Sequence, residues 1–146
     1  MKRILGILFA IIVLVSCNSQ KKIYSDFDIS YSKSGGLAPI YENLLIKGTD
    51  AHYSFEGQGK KIKQNFKVSY EDLKKLENII SENNFRRIEE DHKKIYDFIS
   101  TSINIRQGKN SGSKTDASGI MPKYRSQWTN VTNAFQEIIN TNVKKQ

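Results

Sequence analysis

The sequence predicts a single α+β domain, an antiparallel meander of about five or six strands with two helices packed on one face. Short segments alternate apolar and polar residues, which is the period of a half-buried strand. Glycine-containing turns separate these segments, and two longer segments repeat apolar residues every three or four positions, as helices do. The 146 residues suit one domain, which we expect at residues 26–140, followed by a tail at residues 141–146.

Four strands are predicted in the first half of the chain. The first alternates apolar and polar side chains as far as Lys33 and stops at Ser34-Gly35-Gly36. The fourth alternates apolar residues with lysines, which places the two kinds of side chain on opposite faces. The predicted strands span residues 27–33, 40–47, 52–56 and 62–68.

Ser69 is predicted to begin the first helix as its N-cap. Asp72 follows three residues later, a capping-box arrangement with aspartate in place of the usual glutamate. Val68 and Leu73 occupy the two positions of a hydrophobic staple. The apolar stripe of this helix comprises Leu73, Leu76 and Ile80, and the helix is expected to end at residues 83–84.

The second half of the chain is predicted to add one long strand, one short strand and a long helix. Apolar and polar residues alternate across residues 99–106, and a final short strand is expected at residues 114–120. A charged connection is expected at residues 86–94, and Pro122 can occupy the first turn of the last helix. The apolar face of that helix consists of Tyr124, Trp128, Val131, Phe135 and Ile138.

A basic start and a short apolar run define an N-terminal leader at residues 1–16. As a helix, the apolar run at residues 4–15 would span about 18 Å, which is less than the roughly 30 Å hydrocarbon core of a bilayer. The residues Leu14-Val15-Ser16-Cys17 resemble the lipobox of bacterial lipoprotein precursors. The resemblance implies signal cleavage after Ser16, diacylation of Cys17 as the new N-terminus, and a polar tether over residues 17–25. The alternative is an ordinary buried cysteine beside a short anchor helix.

The residue after the cysteine and the distribution of charge bear on location and partners. Asn18 replaces the aspartate that retains lipoproteins in the inner membrane of some bacteria, which favours the outer membrane. We therefore expect a cell-envelope protein, held to the membrane by the lipid on Cys17, that binds an envelope protein or ligand at the periplasmic or outer surface. The formal net charge of +8 comes from scattered lysines and arginines without a stacking platform, so no nucleic-acid partner is expected.

The residue patterns predict a protein without catalytic activity. The sequence contains no Gly-x-Ser-x-Gly nucleophile elbow and no glycine-rich phosphate loop, and lipid would occupy its one cysteine. The run Glu89-Glu90-Asp91-His92 could ligate a hard cation, but it lacks the spacing of a calcium loop and suits a solvated connection. We therefore predict no enzyme, no cofactor and no metal. An enzyme that uses the acidic run around His92 is the alternative.

The segment Ser34-Gly35-Gly36-Leu37-Ala38-Pro39 is the most distinctive of the chain. Its two glycines permit positive φ and close backbone approach, and Pro39 stiffens its exit. The pattern suits either a loop that only needs tight geometry or a rigid loop that presents Leu37 to a partner.

Residues 29–85 resemble the emfourin-type inhibitors of thermolysin-like metallopeptidases. The features that carry the resemblance are a strand, this glycine pair, a meander and a serine-capped helix. The resemblance implies that Ser34, Gly35, Gly36 and Leu37 contact such an enzyme. Pro39 stands where that family often has glycine.

Overall fold

A computed structural model of the chain describes residues 28–93 and 98–144. Within these residues, six strands form a sheet and two helices longer than two turns cover it. The strands are β1 (Ile29–Gly35), β2 (Ile40–Lys47), β3 (Asp50–Gly57), β4 (Lys60–Lys67), β5 (Ile99–Ile105) and β6 (Gly112–Thr115). The helices are α1 (Tyr70–Glu82) and α2 (Arg125–Asn142), with short 3-10 helices at Phe85–Arg87 and Pro122–Tyr124.

The six strands form one open antiparallel sheet in the order β4-β3-β2-β1-β5-β6, which confirms the predicted α+β class. The first four strands form a meander, as predicted. The chain then returns after α1, so that β5 pairs with β1 rather than with β4. This return makes β1 a central strand with a neighbour on each side.

One face of the sheet is apolar and lies under the two helices. In the middle of the sheet, Tyr31 of β1 is in register with Leu44 of β2 and Ile103 of β5, and all three side chains are buried. They belong to one hydrophobic core that also includes Leu76 of α1 and Phe135 of α2. The alternation of apolar residues along each strand therefore builds this core directly.

The opposite face of the sheet is lined by small polar side chains. Residues that alternate with the core positions point to this face, and they are half-buried because neighbouring strands flank them. In the central strands they are Ser30, Ser32, Asn43, Ser54, Ser102 and Asn104.

The first helix begins as predicted. The Ser69 hydroxyl oxygen accepts a hydrogen bond from the Asp72 backbone N–H at 3.0 Å, and the same hydroxyl donates to the Asp72 carboxylate at 2.7 Å. Aspartate is one methylene shorter than glutamate, and here it contacts the capping side chain. Val68 is buried, and Leu73 packs against the core as the second half of the staple.

The second helix buries nearly all of its predicted face. Trp128, Val131, Phe135 and Ile138 are buried, whereas Tyr124 is half-buried and belongs to the preceding 3-10 helix. The Asp116 carboxylate ties the start of α2 to the sheet, because it accepts from the Trp128 indole N–H at 2.9 Å and from the Thr101 backbone N–H at 2.5 Å.

Several predicted boundaries were wrong. Strand β1 continues two residues beyond Lys33, because Gly35 pairs with Ile40 on one side and with Ile99 on the other. Strand β6 lies at Gly112–Thr115 rather than at residues 114–120, where Ile120 forms only an isolated bridge with Glu90.

The C-terminal boundary also lies later than predicted. Helix α2 continues to Asn142, and its C-cap residue Val143 is buried in the core. The predicted charged connection at residues 86–94 begins within the 3-10 helix at Phe85–Arg87 and contains a fully buried residue, Ile88.

A polar cluster crosses the covered face of the sheet beneath α2. The Tyr31 ring stacks on Phe135 with 5.2 Å between centroids, and its hydroxyl accepts from the Gln136 side-chain N–H at 2.7 Å. The Tyr53 hydroxyl donates to the Glu42 carboxylate at 2.8 Å, and Gln136 donates to the second oxygen of that carboxylate at 3.3 Å. Strands β1, β2 and β3 are thus hydrogen-bonded to each other and to α2 through side chains.

Burial raises the pKa of both Tyr31 and Tyr53 well above the ordinary tyrosine range, and the Glu42 carboxylate raises that of Tyr53 further. The unfolded chain would ionise both phenols near pH 10, whereas the folded protein keeps them neutral. The free energy of unfolding should therefore be fully retained below pH 10 and fall as the pH rises above it.

This prediction is checked by urea unfolding at a series of pH values from about 8 to 11. A Tyr53→Phe variant should be less stable at pH 8, because Glu42 loses a hydrogen-bond donor, but its loss of stability above pH 10 should be smaller than that of the native protein. An equal loss in the two proteins would contradict the assignment of Tyr53.

Candidate functional site

The turn between β1 and β2 places Leu37 at the most exposed position of any large apolar residue in the described part of the chain. Its exposed fraction is 89%. The turn contains only residues 36–39, since β1 ends at Gly35 and β2 begins at Ile40. A tight turn of four residues between two paired strands has little freedom, so Leu37 is held out from the domain in a fixed direction.

Two glycines make this turn possible. Gly35 has φ +112° and Gly36 has φ +91°, both in the region that favours glycine. A Cβ on Gly35 would lie 2.5 Å from the main-chain oxygen of Phe98, and one on Gly36 would lie 3.1 Å from a side-chain carbon of Ile99. The start of β5 is therefore packed against the glycines, and it supports the turn from one side.

Three more exposed apolar residues lie at the same end of the sheet as Leu37. Tyr41 is the second residue of β2, Phe98 immediately precedes β5, and Ile99 begins β5; their exposed fractions are 56%, 43% and 40%. The strand register places them at one end of the sheet, because Gly35 pairs with Ile99 and Ser34 pairs with Tyr41; Tyr41 and Ile99 lie on opposite faces of that end. We call Leu37, Tyr41, Phe98 and Ile99 the apolar tip.

The concentration of apolar side chains at this end distinguishes it from the rest of the described surface. Of the large apolar residues that are exposed among residues 28–93 and 98–144, only Tyr70 lies elsewhere, at the start of α1. Single exposed apolar residues are common, but a cluster without a core to join marks a surface that another molecule can cover.

The structure brings the predicted loop residues together at this tip, with two differences. Ser34 and Gly35 belong to strand β1, and the main-chain oxygen of Ser34 accepts from the Ser100 hydroxyl at 3.4 Å. Gly36, Leu37 and Pro39 form the turn itself, and Leu37 and Pro39 are exposed.

The three acidic residues of the run Glu89-Glu90-Asp91-His92 form ion pairs and hydrogen bonds within the fold. The Glu89 carboxylate pairs with Lys123 at 3.1 Å, and this ion pair lowers the pKa of Glu89. The Glu90 carboxylate accepts from the Thr115 backbone N–H at 3.0 Å, and that of Asp91 pairs with Lys93 at 2.8 Å. The run thus fastens the segment after α1 to β6 and to the start of α2.

Among the described residues, no cluster of three or more histidine, cysteine or acidic side chains could hold a metal ion. His52 lies on the polar face of the sheet, where its Nδ1 contacts the side-chain oxygen of Asn65 at 2.5 Å. Cys17 and Ser16, the predicted lipidation and cleavage residues, lie outside the described residues. No helix in the described ranges is both long enough and apolar enough to cross a bilayer.

An open groove of about 1320 Å³ lies at the opposite end of the sheet, beside Tyr70 at the start of α1. Three of its four isoleucines, Ile46, Ile80 and Ile105, are almost completely buried in the core and offer little surface to a ligand. Its rim is balanced in charge, with Lys47, Lys74 and Lys109 against Asp28, Asp50 and Glu77. The apolar tip is therefore the stronger candidate for a binding site.

The comparisons with known proteins return no family model and no curated protein that matches this chain. The interpretation of the site consequently depends on its geometry and chemistry.

Sequence reasoning identified the turn but missed the partners of Leu37 at the tip. Phe98 and Ile99 lie about sixty positions later in the chain, and only the pairing of β5 with β1 brings them beside Gly35. Their one local signal is the apolar pair at the start of a strand, where the alternating pattern calls for a polar residue.

Replacement of Gly35 by alanine should destabilise the fold by about 3 kcal/mol, because the new Cβ meets a main-chain oxygen and the φ angle is unfavourable. Gly59→Ala is the matched control, since Gly59 also has positive φ (+74°) but a Cβ added there would have no atom within 4 Å. The control should cost only about 1 kcal/mol. Urea unfolding measures both, and equal losses would show that Phe98 does not confine Gly35.

Proposed function

We propose that this protein is a lipid-anchored, non-catalytic lipoprotein of the cell envelope, and that its domain binds a partner protein through the apolar tip. The observation that carries the proposal is the fixed, exposed position of Leu37 among three further exposed apolar residues. A preorganised apolar contact loses little entropy on binding and gains free energy from burial, and tyrosines such as the exposed Tyr41 are common in binding hot spots.

The position of the tip suits a protein anchored at Cys17. The chain enters the sheet at Asp28, whose backbone and carboxylate bond to β2, to the β2–β3 turn and to the end of β5. Leu37 lies beyond the other end of β1, about 20 Å away along a strand of this length. Residues 18–27 span about 40 Å at most, which is enough to let the tip stand clear of a bilayer to which a lipid on Cys17 would hold the chain.

The resemblance to the lipobox supports the anchor, and Asn18 supports sorting to the outer membrane. The contacts of the acidic run support a role without catalysis, because Glu89, Glu90 and Asp91 are engaged in holding the fold.

The test is photocrosslinking in living cells with a benzophenone amino acid at position 37. We expect a crosslinked partner in the membrane fraction, and the purified partner should bind Leu37→Ala at least about tenfold more weakly than the native protein. The same photoreactive residue at position 70, exposed at the other end of the domain, is the control and should not give this product.

The anchor is tested in the same experiment with a Cys17→Ser chain, which should leave the membrane fraction while its purified form still binds the partner. Equal crosslinking from positions 37 and 70 would contradict a binding role for the tip. Retention of Cys17→Ser in the membrane would contradict the lipid anchor.

Inhibition of a thermolysin-like metallopeptidase is the second candidate function, and the exposure of Leu37 on a preorganised turn favours it. A rigid loop that offers one apolar side chain can fill an apolar pocket of an enzyme without being ordered first. The segment Ser34-Gly35-Gly36-Leu37 resembles the emfourin type, although Pro39 departs from that pattern.

The inhibitor hypothesis predicts that the chain from residue 18 onward slows peptide hydrolysis by at least one of a panel of thermolysin-like enzymes. Leu37→Asp should raise the inhibition constant at least about tenfold, because a carboxylate is costly to bury in an apolar pocket. Tyr70→Asp serves as the control for an added surface charge and should leave the inhibition unchanged. Full activity of every enzyme in the presence of the protein would refute the hypothesis.

A further inference from the structure

We propose that the outer side of β4 is a docking edge for an extended segment of a partner protein, in which acidic residues alternate with apolar residues. The segment would add to the sheet as a seventh strand. This inference is independent of the lipid anchor and of the apolar tip, since it rests on a different edge of the fold.

The two edges of the sheet differ in whether they can accept another strand. At one edge, β6 has only four residues, and its Thr115 backbone N–H is already bonded to the Glu90 carboxylate. At the other edge, β4 has eight residues and pairs with β3 without a bulge from Lys60 to Lys67. No strand in the described ranges pairs with the outer side of β4, so every second residue there presents its N–H and C=O groups outward.

The charge of β4 selects the kind of strand that can add. Four of its eight residues are lysines and none is acidic. On the polar face, Lys61 pairs with Glu56 and Lys67 pairs with Asp50, whereas Lys63 forms no ion pair with any described residue. A second copy of this edge would bring lysines against lysines and is disfavoured, but an acidic strand would place carboxylates beside them.

The alternation of side chains along β4 indicates why the partner segment should also contain apolar residues. Lys61, Lys63 and Lys67 point to the polar face of the sheet, whereas Lys60, Ile62, Gln64 and Phe66 alternate with them on the covered face. Ile62 and Phe66 pack against the core but are only partly buried. A partner strand with apolar residues on that face would extend the core over them, which accounts for both halves of the expected sequence.

The probe is an eight-residue peptide of alternating valine and glutamate, titrated to about 1 mM into the chain from residue 18 onward. This chain retains every described residue and the whole core. Nuclear magnetic resonance should show amide shifts confined to β4 and its neighbours, with binding that weakens as salt is added. A valine–lysine peptide tests the charge, and a valine–glutamate peptide with alternate N-methylated amides tests the backbone pairing; neither should bind.

The charge-reversal variant Lys61→Glu/Lys63→Glu, which changes two lysines on the polar face, should bind the acidic peptide at least about tenfold more weakly. Its matched control is Lys74→Glu/Lys109→Glu, which reverses two exposed lysines at the groove and should bind as the native chain does; circular dichroism verifies that both are folded. Binding of the N-methylated peptide as tightly as its parent, equal binding by the two variants, or no shift in β4 at about 1 mM peptide would each overturn the proposal.

Discussion

The packing of Tyr31 in the middle of the sheet is the constraint on which the rest of the structure depends. Its strand joins the meander of β2 to β4 with the later pair of β5 and β6, and its ring lies against Phe135 of α2. The phenol oxygen is hydrogen-bonded to Gln136, which also contacts Glu42. The Tyr31 side chain thus sets the position of the central strands relative to the helix that covers them. It thereby also sets where the two ends of β1 lie.

A single sheet divides the domain: one of its faces lies in the core, and its other face, its ends and its edges form surfaces. The helices cover the apolar face, small polar residues line the other face, and the ends and edges carry the features that the core does not need. Leu37 contributes nothing to the core, and the lysines of β4 face solvent. Because neither feature belongs to the buried core, both are available for the binding roles that we propose.

Local patterns in the sequence predicted the fold class and most of the helices and strands, because side-chain alternation and helix caps are local properties. The Ser69 cap and the buried face of α2 follow from spacing alone. The pairing of β5 with β1 could not be predicted from such spacing, since no local pattern in either strand encodes its partner. The extent of β1 was also missed: Gly35 interrupts an alternating pattern, yet the close approach of Phe98 keeps it paired in the strand.

The pairing of β1 with β5 also bears on how the chain folds. Residues 29–35 must find residues 99–105 before the centre of the sheet can close, and the whole of β2, β3, β4 and α1 lies between them in sequence. Contacts between such distant segments slow folding, because the intervening chain loses entropy before the pairing is gained. The native sheet therefore cannot be completed until most of the polypeptide has been synthesised, which leaves an unfolded interval that would suit the export implied by the lipid anchor that we propose.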